Sequence, residues 1–410
     1  MLAKHLIPHR LTTPRTLGLL ALLWAACAPA QADTLRQVFE RAWQLAPQGR
    51  VVEARRGEAE ASREVAQSLL AGSPQITIGQ RSDRWNDDLG KRENEIALSL
   101  PLWLPGQRTA QAAVAAADGS ATEQSIAATR LALAGELRSA LWNLILARNE
   151  AAIMTQRLAT LGQLEEDVSR RVKVGEVART DLLLARQERS QAKAAALEAE
   201  ARVVRAGQRY RVLTGSDQLP SDPEEALRQP LEAGTAHPRI ATGRASADRA
   251  RAGLQLAQAS STDSPSLAVQ YRRDRDGYGA TNRDSVGIAL SIPFATGTRN
   301  APRIASANTA LIQADAELQR TQAEVEAELH EAEALLSSSR LGVELASERE
   351  QAASERLRLL RRAFDLGETA LSELLRAQAQ ASESALDLAR SRARQSAALA
   401  NLNQARGFTP

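Results

Sequence analysis

The sequence predicts a mainly α chain with a small β part, in which long antiparallel coiled-coil helices accompany four short strands. Three observations lead to this prediction. Residues 107–219 and 303–409 contain no proline, so each stretch can form very long helices. Aromatic residues make up only 3% of the 410 residues, which is few for a wide compact core. Finally, several sequence blocks occur twice, in the same order, half a chain apart.

The repeated blocks begin with the predicted strands. IALSLP at 96–101 returns as IALSIP at 288–293, an offset of 192 positions. SPQITIGQR at 73–81 matches SPSLAVQYR at 264–272, an offset of 191. Blocks that share an order and an offset indicate a duplicated structural unit.

A third pair of blocks lies in the helical part of each unit. VGEVARTDLLLAR at 174–186 matches LGETALSELLRAQ at 366–378, again at an offset of 192. We therefore predict a first structural repeat over 33–221 and a second over 222–410.

The segment 1–32 has the layout of a secretory signal peptide. Its basic residues precede the apolar run LGLLALLWAAC, and AQA then offers small residues for cleavage before Asp33. The only cysteine, Cys27, lies in this segment, so cleavage would remove it. The alternative is that Cys27 becomes a lipidated N-terminus.

The net charge of the remaining chain is balanced. Three of the 52 basic residues and none of the 49 acidic residues fall within 1–32, which leaves 49 of each sign. A neutral mature chain gives no support for a nucleic-acid surface.

Each repeat is predicted to contain a helix, a pair of strands and a long helical stretch, over about 107–215 in the first repeat and 300–407 in the second. Leu137, Leu141 and Leu144 follow the spacing of a coiled-coil seam. A helix from Gln107 to about Val172 would be roughly 100 Å long and must pack against similar rods.

The four strands are predicted at about 74–82, 94–102, 265–273 and 285–294. Large apolar residues alternate with small or polar ones along each of them, which indicates one apolar face. After residue 32 no run of about 18 apolar residues exists, so a membrane could be crossed only by strands.

Four strands cannot close a barrel, and open sheet edges do not persist in lipid. Three copies would supply twelve antiparallel strands, which is a permitted number for a transmembrane barrel. Prolines and glycines mark the passage from strand to helix in each repeat, at Pro101, Gly106, Pro293 and Gly297.

The Gly-Glu motifs mark the turns between consecutive long helices. Glycine readily supplies a positive φ at a helix C-terminus, and Thr180 and Ser372 are candidate N-caps for the returning helices. We call the turn between the two long helices of each repeat its tip. The predicted tip residues are Gly175, Asp181 and Leu182 in the first repeat, and Gly367, Glu373 and Leu374 in the second.

No catalytic, cofactor-binding or metal-binding constellation is evident. Beyond residue 32 the soft or imidazole ligands are His237, His330 and Met154, and no two are near each other in sequence. The sequence also has no nucleophile elbow and no phosphate loop, so we predict neither an enzyme nor a bound cofactor or metal.

The duplicated halves, the strand-proline-glycine junctions and the G-E-x-x-x-x-[DE]-L-L-x-A turns resemble the TolC family of outer-membrane efflux proteins. The resemblance covers nearly all of the mature chain. It implies a homotrimer with a 12-stranded barrel in the outer membrane and a helical tunnel through the periplasm. It also implies two partners, a periplasmic adaptor (membrane fusion) protein and an inner-membrane RND-type pump.

The segment AFDLGETALSELLRAQAQ at 363–380 is most similar to the tips of the heavy-metal cation-efflux (CzcC-type) branch. Several relatives have two acids a helical turn apart in the second tip. Here Glu373 fills one position and Arg376 the other, so the candidate gate ring is mixed in charge.

Other functions remain open at this point. The duct could export drugs or small organic molecules, or serve type I protein secretion. A periplasmic coiled-coil scaffold would explain the helices but would leave the four amphipathic strands without a role.

Overall fold

The computed structural model describes residues 33–230 and 236–410. The predicted signal segment, including Cys27, lies outside these residues. No helix within the two described ranges is both long and apolar enough to cross a membrane. In chain order the elements are α1 (Leu35–Leu45), α2 (Pro47–Gln67), β1 (Gln75–Ser82), β2 (Arg92–Pro101), α3 (Gln107–Lys173), α4 (Arg179–Thr214), α5 (Pro238–Ala259), β3 (Ser266–Arg275), β4 (Arg283–Ser291), α6 (Gly297–Asp365) and α7 (Leu371–Ala405).

The predicted fold class and the duplication are both confirmed. The order α2-β1-β2-α3-α4 returns as α5-β3-β4-α6-α7. The strand pairings repeat at the offsets found in the sequence. Ile76 lies opposite Leu98, and their repeat equivalents, Leu267 and Leu290, also lie opposite each other. The first repeat differs from the expectation of a single leading helix, since α1 precedes α2 and a proline, Pro47, separates them.

The four strands form one antiparallel sheet in the order β1-β2-β3-β4. Its two outer strands, β1 and β4, each have one edge that pairs with no other strand in the described part of the chain. Strand β1 follows α2, β2 leads to α3, β3 follows α5 and β4 leads to α6. Each strand is therefore connected to one of four helices.

Those four helices lie side by side next to the sheet, in the order α2-α3-α5-α6. In this region α3 is joined to α2 by an ion pair between Arg56 and Glu123, 2.8 Å apart. It is joined to α5 by the Thr242 hydroxyl, which donates to the Gln124 carbonyl over 2.9 Å.

Farther from the sheet the helix order becomes α4-α3-α7-α6. Here Arg390 of α7 donates to Glu150 of α3 at 2.7 Å, and Arg202 of α4 approaches the same carboxylate at 3.5 Å. Because α3 and α6, at 67 and 69 residues, run through both regions, they hold the two halves of the rod together. Helices α4 and α6 lie at the two outer edges of the helix region farther from the sheet.

A compact apolar core forms where α1 packs on α3 and α4. Phe39, Leu137, Leu141 and Tyr210 are all essentially inaccessible to solvent there. Thr34 begins α1 with a capping box, in which its hydroxyl and the Gln37 side chain satisfy each other's backbone amides.

The segment that links α4 to α5 is fastened to α3 by a buried ion pair. Arg138 is only 1% exposed and binds Glu225 through two hydrogen bonds of 2.6 and 2.8 Å. Asn403 of α7 also donates to Glu225, at 3.0 Å, and Arg138 donates to the Phe408 carbonyl at the same distance. Since a buried charge without its partner is strongly destabilising, this cluster fixes three parts of the chain together.

Candidate functional site

The two turns between long helices have the same backbone geometry. Gly175 and Gly367 adopt φ values of 82° and 78°. In both turns the amide after the glycine donates over 2.9 Å to the carbonyl five residues earlier, Glu176 to Arg171 and Glu368 to Ala363. The glycine amides donate to Val172 and Phe364, both at 3.1 Å, which completes a Schellman motif. Glycine is required because other residues adopt this φ only with strain.

The predicted N-caps of the returning helices are wrong. The caps are Ala178 and Ala370, whose extended backbones have ψ of 151° and 150°, and neither makes a side-chain capping bond. Thr180 and Ser372 are instead the second residues of α4 and α7, where the helical backbone has already begun. Thr180 and Ser372 are residue types that favour N-caps, but residue type alone does not show where the backbone ψ changes from extended to helical.

Leu374 lies in a core that all four tip helices build together. It is 1% exposed, whereas its repeat equivalent Leu182 is only partly buried. The buried members of this core are Leu161, Leu164, Val168, Ala185, Ala192, Phe364, Leu371, Leu374 and Leu375. The apolar core at the tip is therefore formed by the side chains of a single chain.

Glu373 and Arg376 meet each other on the surface of α7. Arg376 Nη1 donates to Glu373 Oε1 at 2.7 Å, and the Arg376 and Glu373 side chains are 63% and 40% exposed. Asp181 occupies the equivalent first-turn position of α4. Both acids lie where the positive end of the helix dipole favours a negative charge.

An arginine that the sequence did not single out connects the two tip turns. Arg171, at the end of α3, donates to the Phe364 carbonyl at 3.2 Å and stacks over its ring at 5.0 Å from the centroid. Its guanidinium also lies 3.7 Å from Asp365. The only sequence signal was basic residues in the last helical turn, which also has a simpler explanation as dipole compensation.

The strand-helix junctions differ between the repeats. Pro101 ends β2, and Gly106 is the N-cap of α3 with φ of 80°. In the second repeat Pro293 follows β4, but the positive φ, 58°, belongs to Ala295, and Gly297 is already the first residue of α6.

The register places the large apolar residues of all four strands on one face of the sheet, here called the apolar face. Ile76 lies opposite Leu98, Leu98 opposite Val269, and Val269 opposite Ile288. Ile76 and Ile288 are 71% and 75% exposed in the single chain. The face consists of Ile76, Ile78, Ile96, Leu98, Leu100, Leu267, Val269, Tyr271, Val286, Ile288 and Leu290.

The opposite face has small side chains near the helices and charged side chains near the loops. Its last complete row is Arg81, Glu93, Asp274 and Arg283, in register across the four strands. Glu93 binds Arg81 at 3.2 Å and also Arg272 of the neighbouring row, while Arg283 binds Asp274 at 3.5 Å. The four charges of this row are thus paired within the sheet.

The candidate metal ligands found in the sequence do not come together. His237 is the N-cap of α5, where its Nδ1 accepts from the Arg239 amide at 3.3 Å. Met154 is buried in α3. Across the two described ranges, no group of three or more His, Cys, Asp or Glu side chains is placed to hold a metal ion.

No protein-family model matches the sequence, and neither does any curated protein. Solved structures do match. The CmeC outer-membrane channel of Campylobacter jejuni aligns at 15% identity and a TM-score of 0.75, covering 92% of this chain and 86% of the channel. The MtrE outer-membrane channel of Neisseria gonorrhoeae, in its open state, aligns at 17% identity and a TM-score of 0.73, covering 92% and 90%.

CusC, whose structures describe changes accompanying folding and transmembrane channel formation, aligns at 18% identity and a TM-score of 0.76. The alignment covers 92% of each chain. At identities this low, the likeness is one of fold, over 92% of this chain. The fold of this chain is that of the TolC-family outer-membrane channels, as the sequence resemblance predicts.

Proposed function

We propose that three copies of this chain form an outer-membrane duct, the exit component of a tripartite efflux system. One observation carries the proposal: the sheet has a continuous exposed apolar face and two unpaired edges. A lipid environment would cover that face, and pairing β4 of one copy with β1 of the next would satisfy both edges. The fold shared with known outer-membrane channels supports the same arrangement.

The duplication supplies a specific register for the seam between copies. Within one chain Leu98 of β2 lies opposite Val269 of β3. Strand β4 is the repeat equivalent of β2, and β1 is the equivalent of β3, so Leu290 of one copy should lie opposite Ile78 of the next. The seam then continues the apolar face around a ring of twelve strands.

The helices would extend this ring as a tunnel into the periplasm. Helices α4 and α6 are the free edges of the layer farther from the sheet, and their neighbours in the trimer would be α6 and α4 of adjacent copies. The tips would meet a periplasmic adaptor, and an inner-membrane RND-type pump would supply the energy for export.

We propose heavy-metal cations as the cargo. Support comes from the resemblance of the tip at 363–380 to the cation-efflux branch. The ions would pass hydrated or loosely paired with the charged walls.

Assembly can be tested with cysteine pairs, because Cys27 is the only native cysteine. A chain carrying Leu290→Cys and Ile78→Cys, with Cys27→Ala, should be linked into a covalent trimer in outer-membrane fractions by a short bis-methanethiosulfonate reagent. The matched control, Val286→Cys with Ile78→Cys, lies four residues out of register, about 13 Å along the strand, and should not be linked. A soluble periplasmic monomer would favour the scaffold and contradict the duct.

The cargo can be tested by deleting the gene and measuring growth on zinc, cobalt, cadmium, copper and silver salts, and on dyes and antibiotics. Sensitivity confined to metal salts, restored by the parent gene, is the expected result. Sensitivity confined to dyes and antibiotics would replace metals with organic molecules as the cargo.

A further inference from the structure

We propose that Arg92 and Arg275 form a binding site for the phosphate groups of an anionic lipid headgroup, at the loop end of the apolar face. The inference rests on the proposed membrane location. It adds a specific ligand class to a surface that would otherwise only be buried in lipid.

The strand register places both arginines on the apolar face. Arg92 and Arg275 are partners across β2 and β3, four residues beyond the apolar pair Ile96 and Tyr271 on the same strands. Since alternate residues share a face, all four side chains project to the same side. The arginines lie about 13 Å along the strands from that pair, in the direction of the loops. This position corresponds to the headgroup layer if the apolar rows lie in the acyl region.

Two like charges directly opposite each other on a sheet repel, and the chain supplies no acid to compensate. Within residues 33–230 and 236–410, no carboxylate lies within 4.0 Å of either guanidinium. Arg275 uses only its Nε, which donates to the Gly90 carbonyl at 3.2 Å. Most of the donors on the two side chains are therefore free to bind an anion.

Three of the four acids in the neighbourhood are held by other arginines. Arg92 and Arg275 border a cavity of about 550 Å³ that also contacts four carboxylates. Glu93 is held by Arg81 and Arg272, and Asp274 and Asp276 are held by Arg283. The fourth, Asp83, accepts from the Leu89 amide through Oδ2 at 2.9 Å, while its Oδ1 has no hydrogen-bond partner among the described residues.

A third outward-facing arginine shows the contrast. Arg273, one row nearer the apolar residues, is bound by both oxygens of Asp284 at 2.6 and 2.9 Å. The chain thus neutralises the cation that lies closer to the acyl region and leaves the outer two available.

Phosphate is the anion that this pair fits best. The planar guanidinium fork binds phosphate oxygens in a bidentate manner, and two forks can share one group. A lipid is favoured over a free phosphate because the site continues directly into the apolar face, where acyl chains would pack against Tyr271 and Ile96. Lys91, which borders the same cavity, adds a further positive charge.

The test uses the purified full-chain trimer in phosphatidylcholine vesicles, with and without diphosphorylated lipid A. The readout is the temperature at which the detergent-resistant trimer dissociates. Lipid A should raise this temperature for the parent protein, and the increase should fall by half or more in Arg92→Gln/Arg275→Gln. The control Arg81→Gln changes a cation that borders the same cavity but projects from the opposite face and pairs with Glu93, so it should keep the full increase. Arg92→Lys/Arg275→Lys should retain part of it, because charge remains without the fork.

Several outcomes would overturn the proposal. They are an unchanged increase in the Gln double variant, an equal increase from dephosphorylated lipid A, and an equal increase from inorganic phosphate alone. If the double variant does not assemble, the Lys variant decides, since an increase equal to the parent's would rule out recognition by the guanidinium fork. If the parent inserts into no vesicle and gives no conductance in a planar bilayer, the proposed function itself is contradicted. If the parent conducts but lipid A does not raise its dissociation temperature, only the lipid site is contradicted.

Discussion

The two ends of the molecule treat their large apolar residues in opposite ways. At the tips, Phe364, Leu371 and Leu374 are buried in a core built from four helices of one chain. On the sheet, Ile78 and Val286 are 78% and 75% exposed.

The difference lies in how many elements of the same chain pack against the apolar residues at each end. At the tips α3 contacts both α4 and α7, and the side chains between them are enclosed. Among the described residues nothing packs over the apolar face of the sheet, where Ile78 and Val286 are exposed. One chain therefore contains a nearly complete tip and an incomplete sheet. Even the tip is incomplete at its edge, because Leu183 of α4 is 56% exposed while its repeat equivalent Leu375 is buried against α3.

The largest expected effect comes from placing a charge on the apolar face. Leu290→Arg should greatly reduce the amount of assembled trimer, because an arginine near mid-bilayer costs roughly 2–4 kcal/mol and each trimer carries three. Ser291→Arg, the adjacent residue on the opposite face, should assemble and change the single-channel conductance. Heat-modifiable trimer bands and planar-bilayer recordings measure the two effects. Equal assembly of both variants would show that the assignment of the faces is wrong.

A smaller effect is expected inside the tip. Leu374→Ala should lower the free energy of unfolding by about 2–5 kcal/mol per chain, since it leaves a cavity in an enclosed core. The matched change Leu182→Ala should cost clearly less, because Leu182 is already partly solvated. Denaturant unfolding followed by far-UV circular dichroism measures both. Similar losses would mean that a neighbouring copy encloses Leu182 as fully as the chain itself encloses Leu374.

The sequence predicted the features that depend on periodicity. Alternation of apolar residues located the four strands and their faces, and two proline-free stretches predicted the rods. It did not predict contacts between residues far apart, such as Arg171 with Phe364 or Arg138 with Glu225. These depend on which helices become neighbours, and no local pattern of charge distinguishes them from solvated surface residues. The N-caps failed for a related reason, because Thr180 and Ser372 have the right chemistry but lie two residues past the change in backbone conformation.

The start of α5, where His237 is the N-cap, should give a pH-dependent effect of modest size. Burial is the main cause that lowers the pKa of His237 below its ordinary value of 6.5, with the Arg239 charge acting in the same direction and Glu328 opposing. The unfolded chain therefore binds a proton more readily than the folded chain, and stability should fall as pH drops below about 6.5.

The variant His237→Asn provides the comparison, because asparagine is also a good N-cap but does not titrate. The thermal midpoint of the parent should decrease more between pH 7 and pH 5.5 than that of the variant. Equal decreases in the thermal midpoints of parent and variant would show that other groups control the loss of stability in acid.

The smallest change in stability, and the most informative change in function, is expected at the exposed edge of the second tip. Glu373→Gln should alter the free energy of unfolding by about 0.5 kcal/mol or less, because the pair with Arg376 is solvated. Under threefold symmetry, however, it removes three negative charges and leaves three arginines unpaired at the periplasmic mouth. We expect a shift in ion preference away from cations, or a greater leak, in planar-bilayer recordings. Asp181→Asn is the matched control, since Asp181 has the same helical position but Leu184 stands where Arg376 would be. If Glu373→Gln changes only stability, or if Asp181→Asn changes selectivity equally, Glu373 serves its helix and the gate is formed by other residues.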